Sequence, residues 1–392
     1  MSDKPDYAAL SIKAHKRYKG KISVQSRMPL ENKFDLSIAY TPGVAEPCRQ
    51  IHEDTEKVYE YTSKGNMVAV VSDGSAVLGL GNIGPEASLP VMEGKCVLFK
   101  RFGGVDAVPI ILNTQDPDEI VQTVKNIAPG FGGINLEDIA APQCFEIEER
   151  LKKECPIPIM HDDQHGTAVV TLAALFNSLK ITGKEIGDVR VVINGSGAAG
   201  VSIIKLLIDV GVKDVIMVDR KGIIYEGRDG LTPIKTEMSK VTNRNKIQGD
   251  LMRAVQDTDV FIGVSAPNVL SKDMVRNMNN DPVIFAMSNP IPEIMPEDAF
   301  EAGASIMATG RSDFPNQINN VLAFPGLFRG ILDSRCRNFT RPMFIAAAKA
   351  IADAVESPRP DKIIPDPFQK DVPTAVAQAV LKAAKEFGCE LD

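Results

Sequence analysis

The chain has 392 residues, of which 44% are hydrophobic and 24% are charged, and its formal net charge is −7. Because a single hydrophobic core rarely extends beyond about 300 residues, this length predicts two domains. The composition excludes a disordered chain, and the negative charge without a basic run excludes a nucleic-acid partner. No apolar run is long enough for a signal peptide or a membrane span, so we expect a cytoplasmic protein with no membrane partner.

The first part of the chain predicts two helices followed by alternating strands and helices. The helical patterns cover residues 6–20 and 53–64. Apolar, β-branched runs then predict strands over 67–71, 96–99, 108–112, 133–136 and 157–160. Two further helices are predicted over 117–127 and 167–179.

A second alternating series begins near residue 190. It predicts a strand over 190–194, a helix over 198–210 and a strand over 214–219. Later strands are predicted over 259–264, 282–287 and 304–309, and the last helices over 342–355 and 372–387. We place the domain boundary at residue 165, which gives one α/β domain over 1–165 and a second over 166–392 that ends in the last helices.

The six cysteines form no CxxC pair. Zinc sites and disulfide frameworks both need closely or regularly spaced cysteines. We therefore expect reduced, buried thiols at all six positions, which are Cys48, Cys96, Cys144, Cys155, Cys336 and Cys389.

Two acidic pairs, Glu137-Asp138 and Asp162-Asp163, each follow an apolar run of the kind that leaves a buried strand. Ligands bind at the strand ends of open α/β sheets. Glu137, Asp138 and Asp163 would offer three carboxylates to a hard cation such as Mg²⁺ or Mn²⁺. The alternative is that these acids only cap the strand ends.

The segment HDDQH at 161–165 is similar to the HExxH zinc motif. In that motif both histidines lie on one helix and the glutamate acts as the base. Here Asp162 stands at the glutamate position, and the prolines just upstream place His161 at the end of a strand. We therefore predict no zinc at this segment.

The glycine pattern GxGxxG occurs twice, at 79–84 and at 195–200. In a nucleotide site these glycines let backbone N–H groups approach the pyrophosphate at a helix N-terminus. Only the second copy lies between a strand and a long helix and is followed by a strand that ends in an acid, Asp219. We therefore predict a Rossmann-type, doubly wound domain whose dinucleotide contacts are Gly195, Ser196, Gly197, Ala198, Ala199 and Gly200. The first copy, which Pro85 follows, is predicted to be a turn that lines the cleft between the domains.

Asp219 also indicates which dinucleotide is bound. A carboxylate at this position accepts hydrogen bonds from the ribose 2′-hydroxyl and repels a 2′-phosphate, so NAD is favoured. Arg220 and Lys221 follow directly and can pair with a phosphate, so NADP stays possible.

Six blocks of the chain, in order, resemble malic enzymes of the short prokaryotic type, and the resemblance runs nearly end to end. The blocks are AYTPGVAEPC (39–48), the segment from SDGSAV to DAVPI (72–110), GGINLEDIAAPQCFEIEERL (132–151), HDDQHGTA (161–168), SNPIPE (288–293) and NQINNVLAFPGLFRG (316–330). The resemblance implies an N-terminal domain that binds substrate and metal and a C-terminal NAD(P)-binding domain. It also implies oxidative decarboxylation of (S)-malate to pyruvate and CO₂ with Mg²⁺ or Mn²⁺, in a homodimer.

The resemblance further assigns roles to single residues. Tyr40 would be the catalytic tyrosine that protonates the product carbon, and Lys95 the catalytic lysine that contacts the substrate and removes its hydroxyl proton. The metal ligands would be Glu137, Asp138 and Asp163. Asn289 and Asn320, with Asn319 beside it, resemble asparagines that contact substrate and nicotinamide. Asp162 is a candidate for holding Lys95 in place.

Two departures and two alternatives stay open. Larger eukaryotic relatives have an arginine where this chain has Ser75-Ala76, so one contact to a substrate carboxylate must come from elsewhere. The chain also ends without the phosphotransacetylase-like extension of some bacterial relatives, so regulation through such a domain is not expected. The alternative functions are a decarboxylating dehydrogenase of another 2-hydroxy acid, such as tartrate or isocitrate, and a non-catalytic nucleotide sensor.

Overall fold

A computed structural model of the chain describes residues 6–389, and at Leu78 it describes the backbone only. Two separate, largely parallel sheets with helices around them make up the structure, as the alternating pattern predicts. No described helix is both long and apolar enough to cross a membrane.

The first sheet has four parallel strands in the order β2-β1-β3-β4. The inner strand β1 is an almost unbroken apolar run, which is typical of a parallel strand that is covered on both faces. The elements of this part are α1 (Tyr7–Tyr18), α2 (Lys33–Ala39), α3 (Ala45–Glu53), α4 (Val58–Tyr61), β1 (Met67–Ser72), α5 (Pro85–Gly103), β2 (Asp106–Ile111), α6 (Pro117–Ile127), β3 (Gly133–Leu136), α7 (Gln143–Glu154) and β4 (Ile159–His161).

The strand predicted over 96–99 is wrong, because these residues lie inside helix α5. Met92, Cys96 and Phe99 are buried on one face of α5, with the spacing of a helix and not of a strand. A short apolar run does not by itself distinguish a strand from a buried stretch of helix. The helix predicted over 53–64 is also too long, since only Val58–Tyr61 is α-helical, with 3₁₀ turns on either side.

The second sheet has six strands in the order β10-β9-β8-β5-β6-β7, and only β7 runs antiparallel. This is the Rossmann strand order, and its direction of winding reverses between β5 and β8. The elements of this part are α8 (Asp162–Thr182), β5 (Arg190–Asn194), α9 (Ala198–Asp209), β6 (Asp214–Asp219), β7 (Gly222–Ile223), α10 (Pro233–Val241), α11 (Leu251–Val255), β8 (Val260–Gly263), α12 (Lys272–Arg276), β9 (Val283–Ala286), α13 (Pro296–Glu301), β10 (Ile306–Thr309), α14 (Phe324–Ser334), α15 (Arg341–Asp353) and α16 (Val372–Phe387).

One hydrophobic core joins the two sheets. Its central member is α8, which is almost continuously buried from Val169 to Leu175. Helix α14 packs back on α5 of the first sheet, where the rings of Phe324 and Phe328 lie 4.7 and 5.2 Å from the ring of Phe99. Since the last helices contact both sheets, the division at residue 165 stays a prediction.

Cys336 and Cys389 form a disulfide between the chain after α14 and the chain after α16. The expectation of six reduced thiols is therefore wrong for this pair. The sequence did not indicate this pair, because its two cysteines are 53 residues apart along the chain, although their Cα atoms lie 5.1 Å apart. Of the other four, Cys96, Cys144 and Cys155 are free and buried, whereas Cys48 is free and exposed.

Gly330 lets α14 lie directly against α16, and its replacement tests this packing. A Cβ atom at this position would lie 2.6 Å from the Val380 Cβ and 2.7 Å from the Ala377 carbonyl oxygen. Gly330→Ala should therefore lower the free energy of unfolding by about 1–3 kcal/mol through overpacking. Thermal and urea unfolding would measure the change.

Lys382→Ala is the matched control on α16, because the Lys382 side chain is 76% exposed. It should change stability by less than about 0.5 kcal/mol. An undiminished stability of Gly330→Ala would contradict the close packing of the two helices.

Candidate active site

Three carboxylates meet at the carboxyl edge of the first sheet. Glu137 and Asp138 directly follow β3, and Asp163 lies in the first turn of α8 after β4. One oxygen of each lies within 4.8 Å of the others, and Glu137 and Asp138 are buried. Buried carboxylates this close repel one another unless positive charge lies among them. The all-oxygen set therefore fits a hard divalent cation, and a role only as strand caps does not account for it.

Backbone contacts hold the loops that carry these acids. Asp138 has a φ of 53°, and its backbone N–H donates to Asp163 Oδ2 at 2.9 Å. Its carbonyl accepts from the Ala76 N–H at 2.9 Å, and Ser75 Oγ accepts from the Ala140 N–H at 2.8 Å. The loops after β1 and β3 and the start of α8 are thus tied into one rigid unit.

Lys95 lies on the inner face of α5 and contacts two acids. Its Nζ lies 2.6 Å from Asp162 Oδ2 and 2.9 Å from Glu137 Oε1, and its side chain is only 10% exposed. The ammonium also stands over the ring of Phe324, 4.2 Å from the centroid. Burial by itself would lower the pKa of Lys95. The negative charges of Asp162 and Glu137 have the larger effect and raise this pKa above its ordinary value.

Glu137 belongs both to the carboxylate cluster and to the Lys95 ion pair. Burial raises its pKa well above the ordinary value; Lys95 opposes this effect, and the charges of Asp162, Asp163 and Asp138 add to it. Asn135 Nδ2 donates to its other oxygen at 2.8 Å. A single lysine does not balance four neighbouring acids, which again favours a bound cation.

The predicted asparagines come from the second sheet and close the opposite side of the site. Asn320 Nδ2 donates to Asp162 Oδ2 at 3.0 Å, and Thr167 Oγ1 donates to Asn320 Oδ1 at 3.1 Å. Together with Asn289 and Asn319, these groups enclose a cavity of about 450 Å³ that also contains Lys95 and the three carboxylates. The structure therefore brings together the predicted site residues of both sheets, with the exception of Tyr40.

Tyr40 lies outside this cavity. It directly follows α2, its side chain is 67% exposed, and it is not among the described residues that line the cavity. Within one chain, the structure does not bring the predicted catalytic tyrosine to the predicted catalytic lysine.

Sequence reasoning missed Glu293, which connects the ends of two strands beside the cavity. Its buried carboxylate accepts from the Ser265 N–H after β8 and from the Ser288 N–H after β9, both at 3.0 Å. Burial raises the pKa of Glu293. The only available signal was an acid in the SNPIPE block, and nothing in its spacing indicated two backbone partners.

The histidines of the zinc-like segment have separate surroundings. His161 lies in β4, as predicted, and His165 lies in α8. His165 Nε2 is 2.9 Å from Glu148 Oε1, which also accepts from the His161 backbone N–H at 3.0 Å. Burial alone would raise the pKa of Glu148, but His165 and Lys152 hold it well below its ordinary range. This buried cluster anchors the start of α8 beneath the acids.

The second glycine pattern forms a pocket of about 840 Å³ at the carboxyl ends of β5, β6 and β8. A Cβ on Gly200 would lie 2.0 Å from the Gly195 carbonyl oxygen, and one on Gly195 would lie 2.7 Å from that of Val264. Only glycines permit this tight turn, which fits a bound pyrophosphate. Val264 and Ser265 line both this pocket and the carboxylate cavity, so the two are adjacent.

The first glycine pattern forms a turn before α5. Gly79 lines the carboxylate cavity, and a Cβ there would lie 2.4 Å from the Asn289 carbonyl oxygen. This close approach accounts for the glycine without a second dinucleotide site.

Asp219 ends β6 at the rim of the dinucleotide pocket and is paired with two cations. Arg228 Nη2 lies 2.5 Å and Lys235 Nζ 2.7 Å from its Oδ2. Burial by itself would raise the pKa of Asp219. Hydrogen bonds from Arg228, Lys235 and the Lys221 N–H have the larger effect and lower this pKa to about 2. Its repulsion of a phosphate is therefore weaker than the sequence pattern implies, because the charge is already compensated.

Asp219→Asn tests how this group selects between the dinucleotides. The change removes a charged acceptor for the ribose hydroxyls and releases Arg228 and Lys235 toward a 2′-phosphate. Since a charged hydrogen bond contributes about 1.5–3 kcal/mol, the preference for NADPH over NADH should rise by about tenfold or more. Dissociation constants from nucleotide fluorescence would measure it.

Asp229→Asn, an exposed position in the same loop, is the matched control and should leave the ratio unchanged. An unchanged ratio in Asp219→Asn as well would exclude Asp219 as a determinant.

Comparison with known families gives one consistent result. The model of the malic enzyme N-terminal domain matches residues 19–152, and that of the malic enzyme NAD binding domain matches residues 164–385. The two matches together cover most of the chain.

Similar proteins and structures carry the same family name. The bifunctional malic/malolactic enzyme of Bacillus subtilis is 61% identical, over 96% of this chain and 93% of its own length. The NADP-dependent malic enzyme of Halomonas elongata is 46% identical, over 99% and 95%. The crystal structure of the NAD-dependent malic enzyme from Thermotoga maritima has a TM-score of 0.92 and 51% identity, over 95% of this chain and 98% of that one. The malic enzyme structure from Pyrococcus horikoshii has a TM-score of 0.93 and 50% identity, over 98% and 92%.

Proposed function

Because this chain belongs to the malic enzyme family, we propose that the cavity between its two sheets is the site where malate is oxidised and decarboxylated to pyruvate and CO₂. The fold is that of the family, with an N-terminal α/β part and a C-terminal NAD-binding Rossmann domain. One observation carries the assignment: the cavity that contains Lys95 and the three-carboxylate cluster lies next to the dinucleotide pocket and shares Val264 and Ser265 with it.

Glu137, Asp138 and Asp163 would hold a Mg²⁺ or Mn²⁺ ion. Such an ion, when bound, supplies positive charge beside the substrate oxygens, which favours loss of the hydroxyl proton and later loss of CO₂. The contacts of Asp138 with Asp163 and Ala76 keep the ligand oxygens in place, so little rearrangement is needed when the ion and the substrate bind.

Lys95 would accept the C2 hydroxyl proton of malate at its Nζ. Asp162 and Asn320 orient it, because Asp162 Oδ2 binds both Nζ and the Asn320 amide. Within the chain alone two carboxylates keep Lys95 charged. A cation held by Glu137 would weaken one of these pairs and so favour the neutral amine of Lys95.

Gly195 to Gly200 and the rim around Asp219 would hold NAD or NADP, whose nicotinamide accepts the hydride from C2. Support for this orientation comes from Val264 and Ser265, which line both spaces. Asn289 and Asn319 then lie where the substrate and the nicotinamide ring would meet. The pairing of Asp219 with Arg228 and Lys235 supports acceptance of both dinucleotides. Relatives named for NAD and for NADP both exist.

The other 2-hydroxy acids and the nucleotide-sensing role have no observation in their favour. In addition to the residue roles, a location in the cytoplasm and assembly as a homodimer are proposals. The boundary between the two domains near residue 165 is likewise a proposal.

Lys95→Ala tests the proton-transfer role. Loss of a positioned general base should lower kcat for malate oxidation by about 100- to 10,000-fold. Binding of NADH should not change, because Lys95 is not among the described residues that line the dinucleotide pocket. The assay should follow NAD(P)H, pyruvate and lactate, since the Bacillus subtilis relative is named for a malolactic activity as well.

Lys153→Ala, at a lysine that is 65% exposed on α7, is the control and should keep full activity. Retained turnover in Lys95→Ala would remove Lys95 from the mechanism.

Metal removal tests the carboxylate cluster. EDTA should abolish malate oxidation and Mn²⁺ should restore it. Asp163→Asn should weaken Mn²⁺ binding by at least about tenfold, because one of three charged ligands is lost. Calorimetric titration with Mn²⁺ measures this without relying on activity.

Asp118→Asn, whose side chain is 84% exposed on α6, is the control for Asp163→Asn. It should bind Mn²⁺ like the unmodified protein. An EDTA-insensitive enzyme would contradict the metal assignment.

A further inference from the structure

Two loops of the second sheet lie where the dinucleotide pocket adjoins the carboxylate cavity. The β8 loop, residues 264–270, follows β8, and the β9 loop, residues 287–293, follows β9. Ser265 of the β8 loop lines both the pocket and the cavity, and Ser288 and Asn289 of the β9 loop line the cavity. Reacting atoms must be held about 3–3.5 Å apart for efficient transfer. The position of one loop relative to the other therefore matters for a hydride that passes from substrate to nicotinamide.

The side chain of Glu293 joins these two loops. Its Oε1 accepts from the Ser265 N–H and its Oε2 from the Ser288 N–H, both at 3.0 Å. Glu293 is completely buried, and the described residues supply backbone N–H groups but no cation as partners of its carboxylate. Each oxygen thus holds one loop. A glutamine at this position would offer only one accepting oxygen, because its other terminal group is a donor.

The surroundings of Glu293 fix the carboxylate in this position. A Cβ on Gly263, the last residue of β8, would lie 2.4 Å from the Glu293 Cδ. The loops also pair through their backbones, since the Asn268 N–H donates to the Pro292 carbonyl at 3.1 Å and the Leu270 N–H to the Glu293 carbonyl at 3.0 Å. Glu293 is therefore held between the loops that it joins.

On one side, these contacts continue to the glycine turn of the dinucleotide pocket. Asn194 Nδ2 donates to Ser265 Oγ at 2.8 Å. Asn194 ends β5 directly before Gly195, and both residues line the dinucleotide pocket. Ser265 is thus held through its backbone by Glu293 and through its side chain by the strand that leads into the glycine turn.

On the other side, the contacts continue to Asn289, which directly follows Ser288. A Cβ on Gly79 would lie 2.4 Å from the Asn289 carbonyl oxygen, and one on Gly310 would lie 2.6 Å from Asn289 Nδ2. Asn289 therefore fits closely between two glycines that also line the cavity. A shift of the β9 loop would move this amide relative to the substrate.

From these contacts we propose that Glu293 is a positioning residue for hydride transfer: by binding the Ser265 and Ser288 N–H groups together, it aligns the nicotinamide side of the dinucleotide pocket with the substrate cavity. Glu293 is not among the described residues that line either space, so it acts through the two loops. The inference rests on the proposed function, because malate and nicotinamide are the molecules to be aligned. Supporting groups of this kind hold reactive geometry to within about 0.5 Å.

Glu293→Gln tests the alignment, because it leaves one of the two N–H groups without an acceptor. Since a misplacement of about 1 Å lowers rates by up to about 100-fold, kcat for malate oxidation should fall by about 10- to 100-fold. NADH should bind about tenfold more weakly. ADP-ribose, which lacks the nicotinamide, should bind as it does to the unmodified protein. Calorimetric titrations with the two nucleotides measure this difference without relying on activity.

Malate carrying deuterium at C2 shows which step has become slow. A misaligned site slows hydride transfer itself, so the deuterium isotope effect on kcat should be at least as large as in the unmodified enzyme. A lower kcat with a diminished isotope effect would place the loss at another step and would overturn the positioning role.

Two further variants complete the experiment. Glu293→Asp keeps the charge, but its shorter side chain cannot reach both loops, so it should show the same loss of kcat and of NADH binding. Glu297→Gln, at an exposed acid on α13, is the matched control and should behave like the unmodified protein. Thermal unfolding and Mn²⁺ titration of every variant show that the fold and the carboxylate cluster are kept.

The results distinguish this inference from the proposed function. An unmodified protein that does not oxidise malate would overturn the proposed function. If the unmodified protein is active and the folded Glu293 variants keep normal kcat and NADH binding, only the positioning role is overturned. A lower unfolding temperature with unchanged kcat and NADH binding would have the same meaning, because Glu293 would then serve the fold alone.

Discussion

The buried ion pairs of Lys95 are the interaction on which the rest of the site depends. A charge removed from water is costly unless it is paired and hydrogen-bonded. Lys95 meets this condition through Asp162 and Glu137, and these acids in turn are held by Asn320 and Asn135. One ammonium balances only part of the negative charge that Glu137, Asp162 and their neighbours bring together. The charge of Lys95 is therefore paired within the chain, whereas the remaining negative charge of the acids favours a bound cation.

Helix α8 connects this charge arrangement to the fold. Its first turn carries Asp162 and Asp163, where the positive end of the helix dipole stabilises carboxylates. The rest of the helix is buried in the core between the two sheets, so the acids cannot shift without disturbing that core. Thr167, one turn further along, contacts Asn320 from the second sheet. Substrate, metal and dinucleotide groups therefore meet where α8 passes from one sheet to the other.

Paired charges also affect the expected preference of the dinucleotide pocket for NAD over NADP. The pattern of an acid at the end of the second Rossmann strand favours NAD on the assumption that the acid is unpaired. In the structure Arg228 and Lys235 already bind Asp219, so its field at the ribose is largely compensated. Neither cation stands at a position that a motif predicts, because Arg228 lies in a loop and Lys235 on α10. The negative charge of Asp219 alone therefore did not predict the net charge of the pocket.

By itself the sequence determined the elements whose signals are local. The strands over 133–136, 190–194 and 214–219 and the helices over 117–127 and 372–387 agree with the structure, because periodicity, caps and glycines act within a few residues. The glycine pattern and the acidic pairs likewise indicated their chemistry through neighbouring residues. Only the tertiary structure decided the helical state of residues 96–99, the disulfide of Cys336 and Cys389 and the backbone partners of Glu293. It also decided the position of Tyr40 outside its own cavity. These features depend on contacts between distant segments, and a one-dimensional pattern does not specify which of them meet.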